Sequence, residues 1–300
     1  MPTLEPYKDN HYLWKYVPSL VLSIVFTALF GIATIAHTWR MVRSRMWFCI
    51  PFVVGGLFEV IGYLTRAFCY NATGALVPYL LQAIFLVLPP VFFAASLYMV
   101  YARVVRAVHG DRFSLLTPRM TTVVFVSGDW FCLNIQSTGS GLLAKPKNQA
   151  IGDWIIVAGL GLQVIMFAVF MVVCLTFHAR LRARLAQTCS TIPDVPWQAC
   201  LNMLYATSLL ILVRNVYRVV EFVMGQDGYL LATEWPAYAF DGVLMLLVMI
   251  AFFIWYPSDI VESTQEPSLI ELPSHGASFD GHAHVGVEFE QKRGDEISRG

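Results

Sequence analysis

Arg214, Tyr217, Arg218 and Glu221 fall at offsets 0, +3, +4 and +7 inside Leu201–Met224, an otherwise apolar stretch long enough to cross a membrane. That spacing puts all four on one face of a helix. The pattern recurs elsewhere: Glu59, Tyr63 and Arg66 lie at 0, +4 and +7, Asp129 and Gln136 at 0 and +7, and Glu234, Tyr238 and Asp241 at 0, +4 and +7. Gln82 and Gln163 extend the set into two further apolar stretches. Charges at bilayer depth are costly, and where they occur they face a bundle interior or a wet cavity. Such a set can recognise a charged headgroup or bind protons within a membrane. The carboxylates Glu59, Asp129, Glu221 and Asp241 would receive an amine or protons, while Arg66, Arg214 and Arg218 would balance them or hold a phosphate.

Seven ionisable groups at roughly 3 kcal/mol each would cost on the order of 20 kcal/mol if left unpaired. The three arginines and four acids must therefore pair. Ion pairs that merely lock helices together satisfy this requirement, and so does a binding site. The excess of one acid favours a cationic ligand or a protonated carboxyl.

The elements that position these residues follow from composition. The chain has 300 residues, 57% of them hydrophobic and 13% charged, with a mean hydropathy of +0.61. A soluble protein of this size is about a quarter charged, so the balance is that of an integral membrane protein. The formal charge of zero hides an asymmetry: residues 258–300 hold nine acids and three basic residues, and the remainder has a net charge of +6. Six cysteines show no CxxC spacing and read as buried structural thiols.

Seven apolar segments are expected to span: 16–37, 47–68, 77–102, 120–143, 154–177, 200–224 and 235–256. The expected fold is all-α, a polytopic seven-helix bundle covering 16–257. It follows a polar segment, 1–15, and precedes an acidic tail, 258–300, without helical period. The first apolar run is long enough to span and lacks a cleavage-like end. Ten arginines between Arg40 and Arg184 gather on one side of the spans, against Lys8, Lys15, Lys145 and Lys147 on the other. The N-terminus is then outside and the C-terminus cytosolic. Asn71-Ala72-Thr73, the one N-x-[ST] match, falls on the outer side as a candidate glycosylation site. In this orientation Arg66, Gln82, Gln136, Arg218, Glu221 and Asp241 lie in the outer half and Glu59, Asp129 and Gln163 near mid-depth, which predicts a polar pocket toward the outer leaflet. Pro89-Pro90 interrupts the third span, as a kink or a hinge, and frees the carbonyls of Phe85 and Leu86 to find other partners.

Several activities are disfavoured. The spans lack the His and Asp set of a membrane zinc hydrolase, and His37 and His178 sit at span ends. Gly139-Ser-Gly141-Leu-Leu-Ala144 mimics a dinucleotide fingerprint but ends a membrane helix rather than following a strand. There is no phosphate-loop lysine motif, and the arginine clusters fit topology rather than nucleic acid. No enzymatic activity, cofactor or metal is expected.

Several motifs taken together are more specific. They are Gly62-Tyr63-Leu-Thr-Arg66; Gln82 through Pro89-Pro90 to Ala94-Ala95-Ser96-Leu-Tyr98-Met99; Phe125-Val126-Ser-Gly-Asp129 with Gln136; and Gly159-Leu-Gly-Leu-Gln163. The densest is Arg214-Asn-Val-Tyr217-Arg218-Val-Val-Glu221-Phe222, leading to Gly225-Gln-Asp227-Gly228, Glu234 and Tyr238-Ala-Phe240-Asp241. Over about residues 15–260 the chain resembles the fungal lipid-translocating exporter (RTA-like) family, membrane proteins linked to resistance against toxic amphipaths. The resemblance implies movement of sphingoid long-chain bases, aminosterols, porphyrins or similar lipophilic toxins, with a membrane amphipath as ligand and the plasma membrane, or a vacuolar or endosomal one, as location. The rival expectation is a seven-span receptor or sensor. Against it, Arg103 lacks an adjacent preceding acid and the seventh span lacks an Asn-Pro-x-x-Tyr turn.

Overall fold

The computed structural model describes residues 14, 16–71, 73–108, 110, 114–143, 149–188, 197–225, 228, 230 and 233–256. Every regular element among them is helical. Helix α1, Leu20–Arg43, starts where Ser19 leaves the extended region and accepts the Leu22 amide on its hydroxyl at 3.4 Å, the role of an N-cap. It closes with Met46 N donating to Met41 O at 3.1 Å around Arg45, which takes the left-handed region at φ 52°. A single 3₁₀ turn, Trp47–Cys49, leads into α2, Ile50–Cys69.

The third span is broken, as the two prolines require. Helix α3, Leu76–Val87, and α4, Pro89–Ala107, meet at Leu88. Helix α5 is Pro118–Leu143 and α6 is Gln149–Thr188. At 1.5 Å per residue α6 is about 60 Å long, about twice a hydrocarbon core, so it outruns the expected span at both ends. Helix α7, Trp197–Val223, stops before Gly225, whose φ of 70° is open to glycine at no steric cost. The seventh span opens with a π-helical segment, Ala237–Val243, and continues as α8, Leu244–Ile254.

Six of these spans are long and apolar enough to cross a membrane. The remaining one, α5, has the length but is diluted by Asp129, Asn134, Gln136 and the Ser/Thr/Gly run at 137–141. Helix α1 packs on α2 and α8, α2 on α3 and α4, and α4 on α5 and α7; α5 packs on α6, α6 on α7 and α7 on α8. The bundle is apolar outside, where Val21, Ile32, Ile35, Val77 and Ile254 are exposed, and polar within, where Glu59, Arg66, Asp129, Arg214 and Asp241 are buried. Such an outward apolar face belongs in lipid. The described cysteines Cys49, Cys69, Cys132, Cys174 and Cys200 are buried, as expected. Asn71 is exposed in the turn after α2. The acidic tail with its histidines, Cys189 and the loop residues Lys8, Lys15, Arg112, Lys145 and Lys147 lie outside the described residues.

The π segment brings the backbone of the seventh span against α1 and α2. A methyl on Gly242 would fall 2.5 Å from Tyr63 Oη and 2.6 Å from Phe26 Cε1, whereas one on Gly31 would meet nothing within 4 Å. Gly242→Ala is therefore expected to destabilise the bundle by about 1–3 kcal/mol through overpacking. Gly31→Ala is expected to be neutral or stabilising by about 0.5–1 kcal/mol. Unfolding of the detergent-solubilised protein checks the pair; equal midpoints for both would contradict this packing.

Candidate functional site

The residues at 0, +3, +4 and +7 on α7 all turn inward, as their spacing predicts. Arg214 is 2% exposed and makes three contacts. Its Nε donates to Asp241 Oδ1 at 2.6 Å, Nη2 to the carbonyl of Leu86 at 2.9 Å and Nη1 to Asn215 Oδ1 at 3.5 Å. Pro90 has no N–H to offer the Leu86 carbonyl four residues back. The guanidinium of Arg214 thus satisfies an acceptor that the proline break creates. Arg218 donates from Nη2 to Asp241 Oδ2 and from Nη1 to Glu221 Oε2 at 2.9 Å. Asp241 therefore bridges two arginines, one per oxygen, and Glu221 pairs with the second, whose Nε is buried without a partner among the described residues.

Glu59 enters the same region from α2. It is 2% exposed and sits in the field of Asp241, Arg214 and Arg218. Among the described residues it takes part in no ion pair; the arginines are already committed to Asp241, Glu221 and Glu234. One turn on, Tyr63 stacks on Phe30 (5.4 Å, 11°) and Phe26 (5.2 Å, 25°). Tyr217, on the same face of α7, stacks its ring on Phe240 at 5.1 Å, and its buried hydroxyl has no hydrogen-bond partner among the described residues. Gln82 is buried on α3, its Oε1 without a hydrogen-bond partner among the described residues.

Arg66 forms a second cluster next to the first. Its Nε donates to Tyr238 Oη at 3.0 Å, and Nη2 to Tyr16 Oη at 2.9 Å and Glu234 Oε1 at 3.3 Å. Trp14, Tyr16 and Tyr238 surround it with ring centroids 5.4, 5.8 and 4.9 Å away. Such faces attract a cation. Glu234 also accepts the Ser19 amide at 2.7 Å, and the Tyr238 hydroxyl meets that of Ser23 at 2.9 Å. The start of the first span and the start of the last are thus tied at Arg66.

The other expected site residues belong to a different wall. Asp129 on α5 accepts from Tyr98 Oη on α4 at 2.8 Å, and Gln136 Nε2 donates to Gln163 Oε1 on α6 at 2.9 Å. Neither pair makes a hydrogen bond or ion pair to the arginine cluster among the described residues. The structure divides what the spacing suggested as one lining into an arginine wall on α2, α3, α7 and the π segment, and a wall on α4, α5 and α6. Sequence spacing put Glu234 in a polar stripe but did not pair it with Arg66, and it missed Tyr98, Trp14 and Tyr16, because spacing reports which residues share a helix face and not which face they meet. The placing of Pro89-Pro90 did foretell the freed Leu86 carbonyl.

The chain matches the family model described as RTA1 like protein over residues 52–264. It is 29% identical to Protein RTA1 of Saccharomyces cerevisiae over 306 aligned positions, which cover 94% of this chain and 95% of that protein. Protoporphyrin uptake protein 1 of the same species is 35% identical over 207 positions, 68% of this chain and 67% of that one. The Sphingoid long-chain base transporter RSB1, also of that species, is 27% identical over 295 positions, 86% of this chain and 76% of that one. No solved structure matches.

Removing one partner from a buried ion pair leaves an uncompensated charge and costs about 3–5 kcal/mol. Asp241→Asn takes the ion pair from Arg214 and leaves Arg218 with Glu221 alone, whereas Arg214→Met leaves Asp241 still paired with Arg218. The expected order of stability is wild type, then Arg214→Met, then Asp241→Asn. Thermal unfolding of the three purified proteins in one detergent checks it, and Asp241→Asn at least as stable as Arg214→Met would contradict the bridging role.

Proposed function

This chain belongs to the RTA1-like family, and from that membership and the surroundings of Glu59 we propose that it moves amphipathic, amine-bearing lipids across a membrane. Long-chain bases are the first candidate, since one relative is named for transporting them; porphyrins are a second, after another relative's name. Cargo passes without bond-breaking and no cofactor takes part.

Glu59 is the observation that carries this reading. It is a buried carboxylate that takes part in no ion pair among the described residues, beside an Arg–Asp–Arg bridge in which both Asp241 oxygens are already taken. A buried charge without a counter-charge is costly, and a protonated amine headgroup supplies one. The Arg214–Asp241–Arg218 bridge then fixes α7 against the π segment and shapes the site, while the cargo's hydrocarbon tail stays among the apolar faces of the helices. Glu221 and Arg218, with Arg218 the more exposed of the two arginines on α7, form the rim through which the headgroup arrives.

We further propose that the N-terminus lies outside and the C-terminus in the cytosol, on the arginine bias of the loops, and that the membrane is the plasma membrane, on family membership alone. An epitope at Met1 is expected to stain on intact cells and one at Gly300 only after permeabilisation; the reverse pattern would invert the orientation.

The transport reading is tested in liposomes carrying a labelled sphingoid base. Wild type is expected to exceed empty vesicles, and Glu59→Gln to lose at least 90% of the protein-dependent rate. Equal rates for wild type, Glu59→Gln and empty vesicles would sink the claim. Saturable binding of the base without movement would favour a sensor.

A further inference from the structure

Asp129 is the buried acid that the headgroup site does not use. It lies near the middle of α5, twelfth of its 26 residues, and is 2% exposed. Its Oδ2 accepts from Tyr98 Oη at 2.8 Å; its Oδ1 is buried without a hydrogen-bond partner among the described residues. Among the described residues, the faces packed around it supply no compensating cation. Tyr98 comes from α4, and Phe125 of α5 and Phe167 and Phe170 of α6 surround the Tyr98 ring at 4.6 to 6.2 Å. The other ionisable groups within electrostatic reach of the Asp129–Tyr98 pair are the thiols of Cys132 on α5 and Cys174 on α6. Asp241, in contrast, has two guanidinium groups at its oxygens.

A carboxylate at this depth with one neutral donor and no cation bears the full cost of a buried charge. Protonation removes that cost, whereas ionisation becomes affordable only when a path to water opens. We propose that Asp129, held by Tyr98, is a proton-binding site that takes up one proton from water on one side of the membrane and releases it on the other as the bundle changes shape. The exchange moves a proton on and off Oδ1 and involves no change in oxidation state. Its coupling to cargo rests on the transport reading above, but the protonation itself does not.

Infrared spectra of the full chain in lipid nanodiscs test the protonation. Wild type is expected to show a carboxylic-acid C=O band that shifts in D₂O, vanishes as pH is raised and is missing in Asp129→Asn. Tyr98→Phe should move the frequency of this band, while Glu59→Gln should leave it in place. A spectrum without any Asp129-dependent band at every pH, or a band that neither titrates nor exchanges in D₂O, would overturn the site. The first outcome means permanent ionisation and the second a locked structural acid.

Coupling is tested in liposomes with labelled sphingoid base and an imposed pH difference, after subtraction of the empty-vesicle rate. The wild-type rate is expected to differ severalfold between the two directions of the gradient, and Asp129→Asn to lose that difference. Wild-type flux that is present but indifferent to the gradient would refute the coupling alone. Wild-type flux that is absent altogether would refute the transport reading instead, with the infrared result still deciding whether Asp129 binds a proton.

Discussion

Inside a lipid-facing bundle, charged groups must balance one another locally, because the surrounding hydrocarbon supplies neither water nor counter-ions. Asp241 answers that demand with both of its oxygens, one for Arg214 and one for Arg218. The rest of the architecture is arranged to keep this bridge in place. The π segment sets Asp241 facing α7; such segments are rare and recur at functional positions. The same Arg214 reaches back to the Leu86 carbonyl that the proline pair exposes. One guanidinium thus joins three features that look independent in the chain: a charged helix face, a broken span and an irregular one.

The two polar walls share a seam, since α4 packs against both α5 and α7. On the arginine side Asp241 and Glu221 are held in ion pairs while Glu59 takes part in none among the described residues, and on the other side Asp129 is met by a single neutral hydrogen bond. This difference separates residues that fix geometry from residues free to change state. Glu59 and Asp129 belong to the second kind, one within reach of two arginines and the other among aromatic rings.

The fold was legible in the chain because membrane spans announce themselves by length and apolarity, and each expected span falls on helical structure, the third as two helices and the seventh with a π-helical opening. Helix faces were also legible: Arg214, Tyr217, Arg218 and Glu221 turn inward, as do Glu59, Tyr63 and Arg66. What the chain did not reveal was pairing between helices. Asp129 and Asp241 look alike in sequence, each an acid in a span seven residues from another polar group, yet one meets a tyrosine and the other two arginines. That distinction depends on which helices become neighbours, which is set by packing over the whole bundle. The π segment was illegible as well; within it Gly242 comes up against Tyr63 and Phe26 of other helices, a contact that spacing along one helix does not report.

The tie between the first and last spans bears on how the protein is made. Ser19 and Glu234 are 215 residues apart, Arg66 and Glu234 are 168, and His37 reaches the Met249 carbonyl across 212. At 5–20 residues per second, synthesis leaves on the order of 10–30 s between the emergence of Arg66 and that of its acid. Tyr16 and Trp14 are present from the start and can shelter the guanidinium meanwhile, but only the last span neutralises it. The opening hairpin of α1 and α2 therefore enters the bilayer as an unfinished half-site. Its final seat waits for the end of translation, which makes the seventh span the latch of assembly as well as a wall of the site.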